Sequence, residues 1–450
     1  MRSITGGAER PKSPLDRVLS LFTTVHAGEG GTALLLASNL FCLFALYYVL
    51  KPVRESLILS ESGAVVKSYA AAGQALLLLA LVPAYGAIAS RVGRIPLIGT
   101  VTLFFASNLA IFYLLGVAGL EVGIAFFLWL GIFNLMVPSQ LWAFANDLYT
   151  KERGARLFPI VGLGTSLGAW IGAEVASELF DSLGPYRLML VAAGGLVVCL
   201  LLTLWTDRRE RSTVRVGEPD VAAEQPMGKA GGFQLVLAQR YLLYIALLIM
   251  VLNLVNTLGE FLLGSLVEVE ARRAVETGAA GGLDVASWIG GFYGDFYANV
   301  NLLGLLIQMF LVSRVFKYAG VRGALVVLPL VALASYTSLA FFPALAIVRV
   351  AKTLENSTDY SIQTTARHAL FLPTSREAKY KAKQAIDSFF WRAGDLLQAL
   401  VVFVGTRLAL DIRGYALINI GLVVVWLALV WGIAREHRQL TDAEPAERAA

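Results

Sequence analysis

Repeated runs of apolar residues, each long enough to cross a lipid bilayer as a helix, limit what this chain can become more than any other feature. A hydrocarbon core of about 30 Å takes roughly 20 helical residues, and within lipid every backbone polar group must be satisfied inside a helix or a closed barrel. The runs are 32–58, 67–90, 95–117, 121–145, 157–180, 186–206, 240–263, 289–313, 321–341, 343–366, 384–407 and 413–434. They predict an all-α integral membrane protein with twelve transmembrane helices. Composition agrees, because charged residues make up 15% of the 450 against about 25% in soluble domains. A net charge of +5 is too small an excess to argue for nucleic acid.

Basic residues in short loops set orientation. With both termini on the cytoplasmic side, the inner segments hold 26 Lys and Arg and the outer loops six, Lys67 among the latter. The longest inner connection, 207–239, contains the polar stretch RVGEPDVAAEQPMGKAGG and divides the helices six and six. The expected organisation is a cytoplasmic segment over 1–31, a first half over 32–206, the linker, a second half over 240–434 and a cytoplasmic tail over 435–450. Two such halves around a site at the membrane midplane are the plan of many secondary transporters, complete as a monomer. Leu15, Val18, Leu19, Phe22 and Val25 stand near helical spacing, which predicts a helix over 14–26 lying on the inner surface.

Other classes find little support. Cys42 and Cys199 are far apart in apolar runs, and His26, His368 and His437 lie near predicted helix ends, so neither a disulfide framework nor a metal site is indicated. No aspartate-rich diphosphate motif or histidine cluster argues for an enzyme, and no cofactor is implied. The polar opening of about 30 residues lacks the apolar core of a signal peptide and the composition of a transit segment. That favours a bacterial inner membrane.

Charge inside hydrocarbon costs at least about 2.5 kcal/mol per residue at a helix centre, so such residues face a cavity or a partner. In YYVLKPVRESLIL, Lys51, Arg54 and Glu55 share one helix face beside Pro52. Arg349, Lys352, Asn356 and Asp359 form a stripe with Glu355 beside it, and Asn253, Asn256 and Glu260 form another. Asp387, Trp391, Asp395 and Gln398 share a face, with Arg392 in reach of Asp395, and Asp295 pairs in spacing with Asn299. These stripes read either as the lining of a site for an anion or as ion pairs holding helices together. Asp295 is a candidate proton or ion carrier.

Three segments carry a resemblance. LYYVLKPVRESLIL is similar to the ATP/ADP antiporter family of bacteria and plastids, with Lys51 where the family has Arg, Arg54 where it has Lys and Glu55 where it has Asp. LWAFANDLYTKERGARLFPIVGLG resembles a second family segment at Trp142, Phe144, Ala145, Asn146, Arg156, Pro159, Gly162 and Leu163. The stretch from Asp359 to Asp387 resembles a third at Tyr360, Ser361, Pro373, Glu377, Lys379, Lys381, Lys383, Ala385, Ile386 and Asp387. The loop YGAIASRVGRIP, with Arg91 and Arg94, resembles the gating loop of the major facilitator superfamily, Ser90 replacing its acid. The departures fall at charges: Asp359 and Asp395 each stand for a Lys, and Leu130 lies near the place of a missing acid, while Glu260 fits an acid of helix 7.

The resemblance implies a major facilitator-like, alternating-access secondary transporter of an anionic, nucleotide-like substrate such as ATP or ADP. Lys51, Arg54, Asn146, Asn256, Glu260, Arg349, Lys352 and Arg392 are the expected substrate-binding residues. Glu55, Asp295, Asp359, Asp387 and Asp395 are expected to pair with cations or couple protons, and Arg91 and Arg94 to gate. The alternative is a proton-coupled carrier of another metabolite or drug, which the acidic departures favour.

Overall fold

Lipid leaves the apolar runs no form but the helix, and the computed structural model is all-helical among its described residues, 12–20, 23–89, 92–149, 151–213, 232–375 and 377–447. After a short α1 (Pro14–Leu19) come α2 (Glu29–Glu61), α3 (Gly63–Ala89), α4 (Arg94–Val117), α5 (Gly123–Leu148) and α6 (Lys151–Thr213). The second part opens with α7 (Gly232–Ala238) and α8 (Arg240–Glu276), then α9 (Val285–Phe310), α10 (Val312–Phe341) and α11 (Leu345–Thr358). A π-helical turn at Asp359–Gln363 joins α11 to α12 (Thr364–Ala369). Two more such turns, Ala378–Ala382 and Ile386–Phe390, flank α13 (Lys383–Ala385) and lead into α14 (Trp391–Arg407) and α15 (Ile412–Glu447). Among the described residues nine helices are long and apolar enough to cross a membrane, and the chain is a multi-pass integral membrane protein.

Two of the long helices are broken where glycine alone is comfortable. Gly184 in α6 has φ 67° and Gly320 in α10 has φ 65°, the left-handed region that costs other residues steric strain. Each break separates two helices within what would otherwise be one rod. Elsewhere glycine permits close approach. Gly164, Gly168 and Gly172 lie one turn apart on α6, and a Cβ at any of them would overlap the carbonyl oxygen of Ala37, Phe41 or Ala45 on α2. Without a hydrophobic drive between helices in lipid, such small-residue faces supply the van der Waals contact that joins them. The two parts of the chain meet along α6 and α9, where a Cβ on Gly290 or Gly294 would strike Phe180 or Ser177.

The end of the bundle that holds the termini is tied by charge. Glu29 accepts from Arg156 at 2.9 and 3.0 Å and faces Arg153, which reaches Glu210 at 2.6 Å. Arg94 bridges to Asp207 at 3.1 Å and to Asp147 at 3.4 Å, so the acids missing from its own loop come from the ends of α6 and α5. Arg91 lies outside the described residues.

The surface helix expected over 14–26 is one and a half turns; Leu21 and Phe22 lie outside the described residues, and from Thr23 the chain lies against α2 and α6. Thr23 donates to the carbonyl of Arg156, and Val25 is fully buried. Asp16 makes this fold. Its carboxylate accepts from the N–H groups of Ser13, Gly28 and Gly30 and from the Ser13 hydroxyl, at 2.8–3.1 Å. Burial alone would raise its pKa, but these donors outweigh it and hold it at about 2. Docking of α1 is therefore complete above 3.8, the ordinary aspartate value, and is lost as the pH falls through about 2. Asp16→Ala is expected to cost about 1–2 kcal/mol locally and to expose the Gly28 and Gly30 amides. Hydrogen exchange at those two amides checks it.

Candidate functional site

The Lys51 face of α2 turns inward and meets α3, α8, α9, α11 and α14 around a chamber of about 200 Å³. Lys51, Arg54, Glu55, Lys67, Ser68, Asn256, Glu260, Tyr297, Asn356, Tyr360 and Gln398 belong to its lining. Glu55 is wholly buried between two cations: Arg54 beside it, at Nε 3.1 Å, and Lys67 of α3, at 2.5 Å. Facing it, Lys352 is equally buried and holds two carboxylates, Glu355 at 3.0 Å and Glu260 at 3.6 Å, while donating to Asn256 Oδ1 at 2.7 Å. Asn356 donates to Glu260 Oε1 at 3.0 Å, and Tyr336 to Glu355 at 2.9 Å. One wall therefore has two cations for one acid, and the other two acids for one cation.

Lys51 stands between these walls and forms no ion pair among the described residues. Its ammonium lies 4.1 Å from the ring centroid of Tyr297, 5.0 Å from Tyr48 and 5.9 Å from Tyr360. Aromatic faces attract a desolvated cation by about 2 kcal/mol, which holds the charge in place without neutralising it. Tyr48 and Tyr360 also border a second cavity of about 780 Å³ toward the termini. That one is lined by Phe44, Trp142, Thr165, Ser166, Asn301, Gln308, Thr364 and Thr365, with no charged side chain. The π-helical turn puts an extra residue into the helix at Asp359–Gln363, which displaces the face of Tyr360 relative to α11, and Thr364 Oγ1 donates across it to the Asp359 carbonyl at 2.7 Å.

Other sequence candidates lie elsewhere. Arg349 pairs with Asp295 of α9 over the Phe292 ring, both half-exposed, and Asn299 donates to Asp295 at 3.2 Å. Asp359 turns away from the chamber toward Arg367, at 3.9 Å. Asp395 accepts from Asn253 at 2.7 Å and faces Arg392 at 3.3 Å, while Asp387 pairs with Lys383. Arg392 and Asp387 line a separate cavity of about 300 Å³ with Arg367, His368 and Trp391. Asn146 is exposed near the end of α5.

Sequence reasoning missed Lys67, read there as a loop residue. Only Ser62 separates α2 from α3, so Lys67 is already one turn into the next helix and faces back on Glu55. It also missed Tyr48, Tyr297 and Tyr360; Tyr48, three residues before Lys51, was the one with a visible signal.

Removing one partner of a buried ionic group costs about 3–5 kcal/mol. Glu55→Gln, which orphans two cations, is expected to lower the melting temperature in detergent sharply. Lys51→Gln orphans no carboxylate and should leave it nearly unchanged.

No family model matches the sequence. The chain is 24% identical over 355 residues to the chloroplastic ADP,ATP carrier protein 2 of Arabidopsis thaliana, a match covering 70% of this chain and 54% of that protein. It is 23% identical over 335 residues to ADP,ATP carrier protein 1 of Chlamydia muridarum, covering 65% and 61%. In structure it resembles a bacterial homologue of the iron transporter ferroportin in its inward-facing state, with TM-score 0.62 and 15% identity, over 89% of this chain and 98% of that one. These proteins are carriers and transporters, not enzymes. The chain is a distant homologue of the ADP,ATP carrier proteins of plastids and Chlamydia, with a major facilitator-like fold.

Proposed function

We propose that the protein is a secondary active transporter working by alternating access, and that its substrate is an organic anion, nucleotide-like in plan, with a charged head and a ring-bearing body. The observation that carries this is Lys51, a buried ammonium with no carboxylate partner among the described residues, set at the junction of a charged chamber and a larger neutral one. An anionic head would complete its pairing, and the aromatic and hydroxyl-rich lining beyond suits a ring with polar substituents. The relatives' names bring nucleotides as the class to try first.

In this reading α6 and its break at Gly184 supply two crossings, and α9 and α11–α12, too polar to stand out by hydropathy, supply two more, for twelve in two halves of six. The halves are 32–206 and 240–434, joined by 207–239, with 1–31 and 435–450 cytoplasmic in a bacterial inner membrane. The protein acts as a monomer. Opposite surpluses of charge on the two walls draw the empty halves together, and a bound anion changes that balance.

A second reading, proton coupling, is favoured by Glu355, a buried carboxylate with one oxygen lacking a hydrogen-bond partner. Proteoliposomes loaded with ADP or with buffer, given labelled AMP, ADP or ATP, separate the two. Uptake needing internal ADP is exchange, and uptake needing only a pH gradient is proton coupling. Lys51→Gln is expected to lower uptake at least about 100-fold, roughly the 2.7 kcal/mol or more of a lost charge-assisted contact. Equal uptake by Lys51→Gln and the wild type would overturn the anion reading.

A further inference from the structure

The charged chamber is not simply basic. On the α2–α3 wall Arg54 and Lys67 share Glu55, and Lys51 is added to them unpaired. On the α8–α11 wall Lys352 is shared by Glu260 and Glu355. Four cations and three carboxylates leave a surplus of one positive charge, split into a positive pole at Lys51 and a negative pole at Glu260. Glu260 spends one oxygen, Oε1, on Asn356 and Lys352. Its other oxygen accepts no hydrogen bond among the described residues and, unlike the second oxygen of Glu355, is not sealed from the chamber. No ion pair joins Lys51 to Glu260, although both line the same space.

Resting on the organic-anion reading, we infer that the head of the solute is bipolar: one anionic group meets Lys51 and Arg54, and one ammonium group on the same head meets Glu260. Two unneutralised poles of opposite sign in a low dielectric favour a ligand with matching poles, and disfavour one of uniform charge by leaving Glu260 against it. The net charge agrees. A head carrying one carboxylate or phosphonate and one ammonium adds little to a surplus of one, whereas a triphosphate would leave several negative charges uncompensated beside Glu260 and Glu355. Size agrees too, since about 200 Å³ is below the roughly 300 Å³ at which whole-ligand pockets begin and suits a head group alone, the body lying in the neutral cavity past Tyr48 and Tyr360.

The test is thermal stabilisation of the purified full chain by matched pairs differing only in the amine. The pairs are L-phenylalanine with 3-phenylpropionate, and 2-aminoethylphosphonate with ethylphosphonate, with ADP and ATP alongside. The amine-bearing member of at least one pair is expected to bind at least tenfold tighter than its partner. In Glu260→Gln that ratio should fall to about one, while Glu260→Asp, which keeps the charge, should retain a preference; melting without ligand shows that both variants fold. Tighter binding of the amine-free members, binding of ATP or ADP with no response to any amine-bearing probe, or an amine preference unchanged in Glu260→Gln would each overturn the inference. In the ATP or ADP case the organic-anion reading would stand. If no probe binds and Lys51→Gln transports as the wild type does, that reading falls and takes the inference with it.

Discussion

Glu55, one buried carboxylate shared by Arg54 of its own helix and Lys67 of the next, is the contact on which the rest of the site depends. Three charges so far from water would be prohibitive singly, and mutual pairing is what makes them tolerable. The sharing also fixes geometry, because it sets the faces of α2 and α3 toward each other and leaves Lys51, one turn before, pointing at the rings of Tyr48 and Tyr297. Lys352 does the converse across the chamber, one cation for two acids. Each wall is locally stable and carries a residue of charge that only the other wall, or a ligand, can answer.

Holding those walls at a fixed separation falls to packing and hydrogen bonds. The glycine face of α6 brings α2 close enough that backbone touches backbone at Ala37, Phe41 and Ala45, and a close-packed interface of this kind resists small sliding. Across the seam, Gln398 donates to Ser68 at 3.0 Å, Ser56 to the carbonyl of Ala286 at 2.5 Å, and the Ala64 N–H to Glu268 at 2.9 Å. The first contact lines the chamber itself and the other two lie on its side away from the termini, whereas the larger neutral cavity lies on the termini side. The molecule is therefore clasped at one end and hollow at the other, an asymmetry that supports the proposed alternating access.

Helix positions were legible because lipid solvation is a one-dimensional constraint: an apolar run of given length reads directly as a helix. Boundaries and breaks depend on turns. Gly184 and Gly320 look like any helix glycine until their φ is known, and the single-residue turn at Ser62 moved Lys67 from a loop into the chamber. For the site, periodicity identified the face of Lys51, Arg54 and Glu55 and, on α8, Asn256 with Glu260, while Asn253 of the same stripe turns to Asp395. Periodicity could not divide the α11 stripe, where Arg349 turns to Asp295, Lys352 to Glu260 and Glu355, and Asp359 to Arg367. The π-helical turn that begins at Asp359 breaks the regular helical spacing for the residues that follow. The tyrosines were illegible because nothing in a sequence distinguishes a ring packed on lipid from one packed on a buried ammonium.

The acidic departures from the carrier family acquire a different meaning once placed. Asp359 and Asp395, each standing for a lysine there, do not line the charged chamber; one faces Arg367 and the other is held by Asn253 and Arg392. Substitution at these two positions therefore does not subtract charge from the lining around Lys51. It replaces a cation by an acid that faces Arg367 or Arg392 within the protein. Electrostatic steering falls with the number of uncompensated charges along an approach path, so the change weakens attraction of a highly charged solute while leaving the head site intact. Lys51, Arg54 and Glu55 are untouched by the change, which supports the proposed substrate class over one as highly charged as ATP.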